Sequence, residues 1–341
     1  MEHLFKSYPK IPESWDNLKL TEQDHRLLKK TEWVVTEKIH GANFCILAND
    51  EQSHFAKRKA ILPEEENFFG YHNLRTTLAE QANLLFNEVL QVYQDTIAVA
   101  IYGELFGGAY PHPEVAPVAQ VQAIQTGVFY SPNIHFWVFD LLRITDTSAY
   151  YLGFDELVTF CDQVQMPMIP ALFRGTYQEA QNHPIKFTST ISGSLLLPEL
   201  ENNWAEGVVI KPAEPILLDT AKGWMRPVIK KKTALFSEDR RYHEAQKWAG
   251  ETGATTLLGE VMASAQALVN ENRLHNVCSK IGQVDFQDAS QRATVQLALE
   301  TDVWESFWEH LGESYFKLGV EEQQQVNEAV HTAVVALVDR Q

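Results

Sequence analysis

The sequence predicts an α+β protein: antiparallel sheets with helices over residues 1–243, then an all-helical C-terminal domain over 244–341. Three observations carry this expectation. From about residue 32 to 235, short apolar runs of strand length, rich in Val, Ile and aromatics, alternate with segments of helical spacing. After residue 236, strand alternation stops and prolines are scarce. A chain of 341 residues is long for one domain and comfortable for two.

Each element follows in order. "WVVTEK" and "ANFCIL" read as two strands of a hairpin joined across Lys38–Gly41, within the stretch "TEKIHGANF", 36–44. Residues 74–94 place apolar side chains at helical spacing. "TIAVAIYGELF", "IHFWVFDLLRI", "AEGVVIKP" and "RPVIKKK" read as strands, with "FDELVTFCDQVQ" and "TYQEAQNH" as helices among them. Residues 107–133, with Gly, Pro and Gln, read as loops. "FSEDRRYHEAQKWAG" reads as a helix capped by Ser237. Helical segments fill the remainder, with no repeat or low-complexity tract.

A net charge of −17 argues against a non-specific nucleic-acid binder, although a total says little about local patches. Residues 246–341 hold 14 acidic and 6 basic side chains, a net of −8, so the first domain is less acidic than the total suggests. Cys45, Cys161 and Cys278 are far apart and form no CxxC pair, which points to incidental thiols in a reducing compartment. The first residues lack the apolar core of a signal peptide, and no stretch approaches a membrane span. A cytoplasmic, soluble protein is expected.

The opening stretch raises the chemical question. Lys38 and Gly41 form KxxG, a pattern short enough to recur by chance, as "KWAG" at Lys247–Gly250 shows. Lys38, however, ends an apolar strand, where a freely solvated lysine is less expected. An amine with a pKa of about 10.4 is protonated at neutral pH and needs cations or burial around it to become a nucleophile. Later strands supply Glu104, Glu206 and Lys211, and "VIKKK" alternates so that Lys230 and Lys232 share a face opposite Lys231. Taken singly, these are solvated strand-end carboxylates and a charged run, and Phe139 is a core aromatic.

Their order changes the reading. "EKIHGANF", "FAKRKAILPEEENFFGY", "IYGELFGG", "FWVFDLL", "AEGVVIKP" and "VIKKKTALFSE" together resemble the motifs of the covalent nucleotidyltransferase superfamily of ATP-dependent ligases and mRNA capping enzymes. Within it, they most closely resemble the RNA ligase 2 family, which includes phage ligases and the kinetoplastid RNA-editing ligases. The resemblance covers about residues 30–240, and "NENRLHNVCSKIG", 270–282, resembles part of that family's helical C-terminal domain.

The resemblance implies a nucleotidyltransferase domain, ATP-grasp-like, with ATP and Mg2+ or Mn2+ as cofactors. It implies that Lys38 attacks the α-phosphate of ATP to give lysyl-AMP, that AMP passes to an RNA 5′-phosphate, and that a 3′-hydroxyl closes the bond. Lys230 and Lys232 would neutralise the α-phosphate, and His40 would orient phosphates or assist RNA adenylation. Glu206 would hold or anchor the metal. Glu104 would accept from the ribose hydroxyls, Phe139 would stack on adenine, and Arg58 would engage ribose or RNA phosphate. Lys211 would lie near the phosphates, and Glu37 and Asn43 complete the first motif. Lys231 would meet RNA or solvent. Lys57, Lys59, Arg273, Lys280 and the cluster from Lys222 to Arg241 would contact RNA. The expected partner is duplex RNA with 3′-OH and 5′-phosphate ends at a nick, held by a monomer with no membrane contact. Rival readings are a DNA ligase or capping-type enzyme, disfavoured because helices rather than an OB-fold follow the fifth motif, and a non-catalytic RNA-end-binding protein.

Overall fold

Strand pairing divides the N-terminal part of the chain into two main sheets. The computed structural model describes residues 2–15, 20–119, 121–220, 223–233, 236 and 257–341. It forms two compact units, Met1–Thr233 and Ala234–Gln341. The expected boundary at 243/244, the helix from Phe236 to Gly250 with its Ser237 cap, the Lys247 decoy, and Lys222, Arg240 and Arg241 lie outside the described residues, Phe236 excepted.

The larger sheet of the first unit has the order β4-β3-β2-β5-β6-β7. Its strands are β2 (Ala42–Ala48), β3 (Ser53–Lys57), β4 (Ala60–Ile61), β5 (Ala98–Ala109), β6 (Ser131–Ile144) and β7 (Ala149–Tyr151). The second sheet has the order β12-β9-β1-β8, from β1 (Trp33–Glu37), β8 (Ala171–Gly175), β9 (Gly207–Pro212) and β12 (Ile229–Lys232). A separate hairpin joins β10 (Leu218–Thr220) to β11 (Gly223–Met225). Among the described residues, every pairing between these strands is antiparallel.

The expected hairpin of "WVVTEK" with "ANFCIL" does not form. β1 pairs with β8 and β9, while β2 pairs with β3 and β5. All five β1 residues are buried, because it is an interior strand with a neighbour on each edge. Residues 38–41 therefore pass from one sheet to the other. Apolar alternation identifies a strand but not its neighbour.

Helix α1 (Glu22–Lys30) begins with a Thr21–Asp24 capping box. Helix α2 (Arg75–Val92) sets Leu78, Ala82, Leu85, Phe86 and Val89 on one stripe. That stripe and Phe154, Leu157 and Phe160 of α3 (Phe154–Gln163) cover Phe44, Ile46, Ile101 and Phe136 of the large sheet. The opposite sheet face buries Cys45, Leu47, Tyr102 and Leu142 with Tyr8. The second sheet packs Trp33, Val35, Val208 and Ile210 against Trp15, Leu28 and Ala180, the last on α4 (Tyr177–Gln181). A short helix, α5 (Ile191–Ser194), precedes β9.

In the second unit, α6 (Leu257–Ala267), α7 (Glu271–Ile281), α8 (Ala289–Tyr315) and α9 (Val320–Val338) share one core. Val295, Leu299, Val303 and Phe307, four residues apart on α8, are fully buried there. Among the described residues, no helix is long and apolar enough to cross a membrane.

Candidate active site

Lys38 follows β1 directly, and its amide still donates to the Gly207 carbonyl at 2.9 Å. The β1–β9 register thus delivers Lys38 beside the start of β9, where Glu206 waits. Lys38 Nζ donates to Glu206 Oε2 at 2.8 Å. His40 Nδ1 lies 3.2 Å from the same oxygen, and Lys232 Nζ lies 3.3 Å from Oε1. Glu206 is 1% exposed and Lys38 is 22% exposed, so the amine is the more open end of the cluster. Burial alone would raise the Glu206 pKa, but Lys38, His40 and Lys232 outweigh it and hold the carboxyl well below its usual range.

Glu104 on β5 pairs across the sheet with Asn43 on β2 and Trp137 on β6. Burial pushes its pKa up to about 7, with Lys38 opposing and Glu206 reinforcing the rise. Arg58, half-buried, adds a smaller opposing field. Gly41 is required by close approach: a Cβ there would sit 2.3 Å from the Leu105 carbonyl oxygen and 3.0 Å from Glu104 Cγ. Its place in KxxG is thus explained by packing onto β5.

Other expected site residues stand apart from this cluster. The Glu37 carboxylate accepts from the Ser189 hydroxyl at 2.7 Å and from the Thr190 amide and hydroxyl at 2.8 Å each. Burial raises its pKa against those three bonds. Lys230 lies 3.9 Å from Glu13. Lys231 occupies the opposite strand face, as alternation requires, half-buried and donating to the Gln181 carbonyl at 2.5 Å.

Phe139 sits at the β6 irregularity where the register shifts, half-buried and edge-on to Tyr8 at 5.0 Å. Lys211 donates to the Phe139 carbonyl at 2.5 Å and to Asp140 Oδ1 at 3.0 Å. Asp140 also accepts from Tyr8 at 2.6 Å and from Arg226 at 2.9 Å. Burial raises the Asp140 pKa, but Arg226 and Lys211 outweigh it and hold the carboxyl low. Lys211 is therefore part of a second buried cluster. Arg226, in the stretch expected to contact RNA, is a correction: it is turned inward to Asp140. Sequence reasoning missed Tyr8 beside it and Tyr130 beside the Lys38 loop. No local pattern marks them, because their partners lie at least 86 residues away in every case.

Among the expected RNA contacts, Lys59 is exposed and Lys57 is ion-paired with Glu66 at 2.8 Å. Arg273 is a correction: it is 1% exposed, inside the helical unit. Its Nε donates to the Leu268 carbonyl, and Nη1 donates to Asp302 at 2.6 Å and to Ser306 at 2.9 Å. A helix surface has one buried stripe, and Arg273 falls on it beside Leu274 and Val277. Lys280 pairs with the other Asp302 oxygen at 2.6 Å.

A divalent cation of the magnesium type binds through one or two carboxylates, waters and substrate phosphates. Glu206, 2.8 Å from Lys38, offers one carboxylate to such a donor set. Among the described residues, no group of three or more His, Cys, Asp or Glu forms a closed metal cage.

The chain is similar to proteins of known family. A family model described as RNA ligase matches residues 31–232, and one described as T4 RNA ligase 2 C-terminal matches 252–335. The mitochondrial RNA-editing ligase 1 of Trypanosoma brucei brucei is 32% identical over 333 residues, 82% of this chain and 71% of that protein. RNA-editing ligase 2 of the same organism is 31% identical over 299 residues, 75% of this chain and 71% of that protein. Among solved structures, a Naegleria gruberi RNA ligase mutant with ATP and Mn aligns with a TM-score of 0.43 at 16% identity. That alignment covers 70% of this chain and 58% of that one. Another mutant, in the apo form, aligns with a TM-score of 0.42 at 17% identity over 67% of this chain and 55% of that one.

Antiparallel sheets with a lysine–glutamate pair where the chain passes between them, followed in the chain by helices, make up a protein whose residues 31–232 match the RNA ligase family model. The chain belongs to the RNA ligase family, and within it to the RNA ligase 2 family.

Proposed function

We propose that this chain is an ATP-dependent RNA ligase that seals 3′-OH/5′-phosphate nicks in duplex RNA. The observation that carries the reading is the Lys38 amine, partly open and 2.8 Å from a buried Glu206 that also meets His40 and Lys232. Lys38 loses its proton, attacks the α-phosphorus of ATP and expels pyrophosphate, giving lysyl-AMP. An oxygen of the RNA 5′-phosphate then displaces Lys38, and a 3′-hydroxyl displaces AMP. Each transfer exchanges one phosphorus bond for another, so placement and charge neutralisation dominate.

Lys232 and Lys230 supply positive charge for the phosphates, and His40 orients them or assists transfer to RNA. Glu104 accepts from the ribose, Phe139 stacks on adenine, and Arg58, Asn43 and Glu37 complete the pocket. A magnesium or manganese ion held by Glu206 would neutralise phosphate charge. Exposed Lys59 supplies an RNA contact, and an A-form duplex is met through its backbone and 2′-hydroxyls. The protein acts as a monomer, and a reducing, cytoplasmic setting accords with three unpaired cysteines, two of them buried.

Incubation with labelled ATP and a divalent cation tests this. Wild-type protein is expected to retain label as AMP, and Lys38→Ala to retain none. Joining of ends by Lys38→Ala, or transfer of GMP from GTP in place of AMP, would overturn it. A panel of nicks with RNA or DNA on either side of the break then defines the strand requirement.

A further inference from the structure

The loop carrying Lys38 is held at both ends by one hydrogen-bonded path. At its start, Glu37 accepts from Ser189 at 2.7 Å. The Ser189 amide donates to the Asn203 carbonyl at 2.9 Å. The Asn203 side chain brackets Phe129: its nitrogen donates to the Phe129 carbonyl at 2.7 Å, and its oxygen accepts from the Phe129 amide at 2.8 Å. The next residue, Tyr130, is 1% exposed and lies edge-on to Phe106 at 5.3 Å. Its hydroxyl accepts from the His40 amide at 2.8 Å. The path leaves the loop at Glu37 and returns at His40, enclosing Lys38.

On the reading that Lys38 is the nucleophile, we propose that Tyr130 is a positioning residue for transfer of AMP to it. The tyrosine hydroxyl fixes the peptide between Ile39 and His40, so that Lys38 and His40 meet the same Glu206 oxygen. It touches no reacting atom. The crossing is pinned on either side of this peptide: the Lys38 amide donates to the Gly207 carbonyl at 2.9 Å, and Gly41 packs against the Leu105 carbonyl, so the Tyr130 hydroxyl fixes the peptide between those two anchors. Without its acceptor the buried His40 amide must turn to another partner, and the lysine turns with it. A displacement of about 1 Å costs up to about 100-fold in rate.

Tyr110 provides the control. It opens the same connection between β5 and β6, and its hydroxyl donates to the Pro198 carbonyl, so Tyr110→Phe removes a tether of that segment without touching residue 40. Single-turnover transfer of labelled AMP to the protein is measured across ATP concentrations, with melting temperatures alongside. Tyr130→Phe is expected to lower the maximal rate about 10- to 100-fold. Half-saturating ATP should stay within about twofold, and Tyr110→Phe should label near the wild-type rate. Wild-type labelling by Tyr130→Phe, equal slowing by Tyr110→Phe, or a rise in half-saturating ATP at full maximal rate would overturn the proposal. If Tyr130→Phe does not fold, Asn203→Asp, which cannot donate to the Phe129 carbonyl, takes its place and must slow labelling in the same sense; a wild-type rate there also overturns it. Failure of the wild type itself to take label would instead sink the ligase reading.

Discussion

At the scale of the residue, the site is organised around one carboxylate. Glu206 serves three cationic or hydrogen-bonding neighbours at 2.8, 3.2 and 3.3 Å. Glu206→Gln leaves Lys38 and Lys232 close together with no anion between them. A buried charge deprived of its partner costs about 3–5 kcal/mol, so a large fall in the urea midpoint is expected together with loss of AMP labelling. Glu104 gives a pH signature. Its folded pKa, about 7, lies above the unfolded carboxyl value of about 4.3. The folded state therefore holds this proton to higher pH, and the stability it adds at acid pH is lost as pH rises through about 7. Melting temperatures from pH 4 to 8 should show that decline, and Glu104→Gln should flatten it. Nucleotide affinity should move the other way, rising as Glu104 ionises and becomes a better acceptor for ribose hydroxyls. Lys38 and Glu206 were legible from their motifs. The roles of Tyr130 and Asn203 were not, because a tyrosine and an asparagine in loops carry no pattern until their partners fold against them.

At the scale of the element, strand identity was legible and strand partnership was not. "WVVTEK" and "ANFCIL" do form β1 and β2, but each pairs elsewhere. Period-two alternation reports which face is buried, while hydrogen-bond partners depend on distant segments. Alternation did separate Lys231 from Lys232, and the two bind on opposite faces, at Gln181 and Glu206. Arg273 shows the reverse failure: a charged residue in a matching segment reads as an RNA contact, yet it ties α7 to α8 through Asp302 and Ser306. Arg273→Ala is expected to lower stability of the helical unit by about 3 kcal/mol. That is the low end of the range for a broken buried pair, because Asp302 keeps Lys280 at 2.6 Å. A denaturation curve checks it, and AMP labelling of Lys38 should be unchanged in the folded protein.

At the scale of the whole molecule, the two units have separate hydrophobic cores. Among the described residues, the partners of Lys38 and Glu206 named above, Gly207, His40 and Lys232, belong to the first. A fragment of residues 1–256 is therefore expected to fold with a cooperative transition and to take label from ATP. An unfolded fragment would show that the first unit depends on the second. RNA binding should have a shallow salt dependence, since Arg273 is internal and Lys57 and Lys280 are already paired. Lys59→Ala should reduce the slope by about one, measured as affinity against salt concentration.

The order of six motifs along the chain was enough to name the family and the change from mixed to helical structure at the C-terminus. Those are properties of residue type and local periodicity, and they are written in the chain itself. Which strands are neighbours, why Gly41 must lack a Cβ, how Glu206 gathers Lys38, His40 and Lys232, and why Lys211 belongs with Asp140 all needed the folded protein. Each depends on groups far apart in sequence that meet only when two sheets pack, and a buried charge takes its role from whatever partner that packing brings to it.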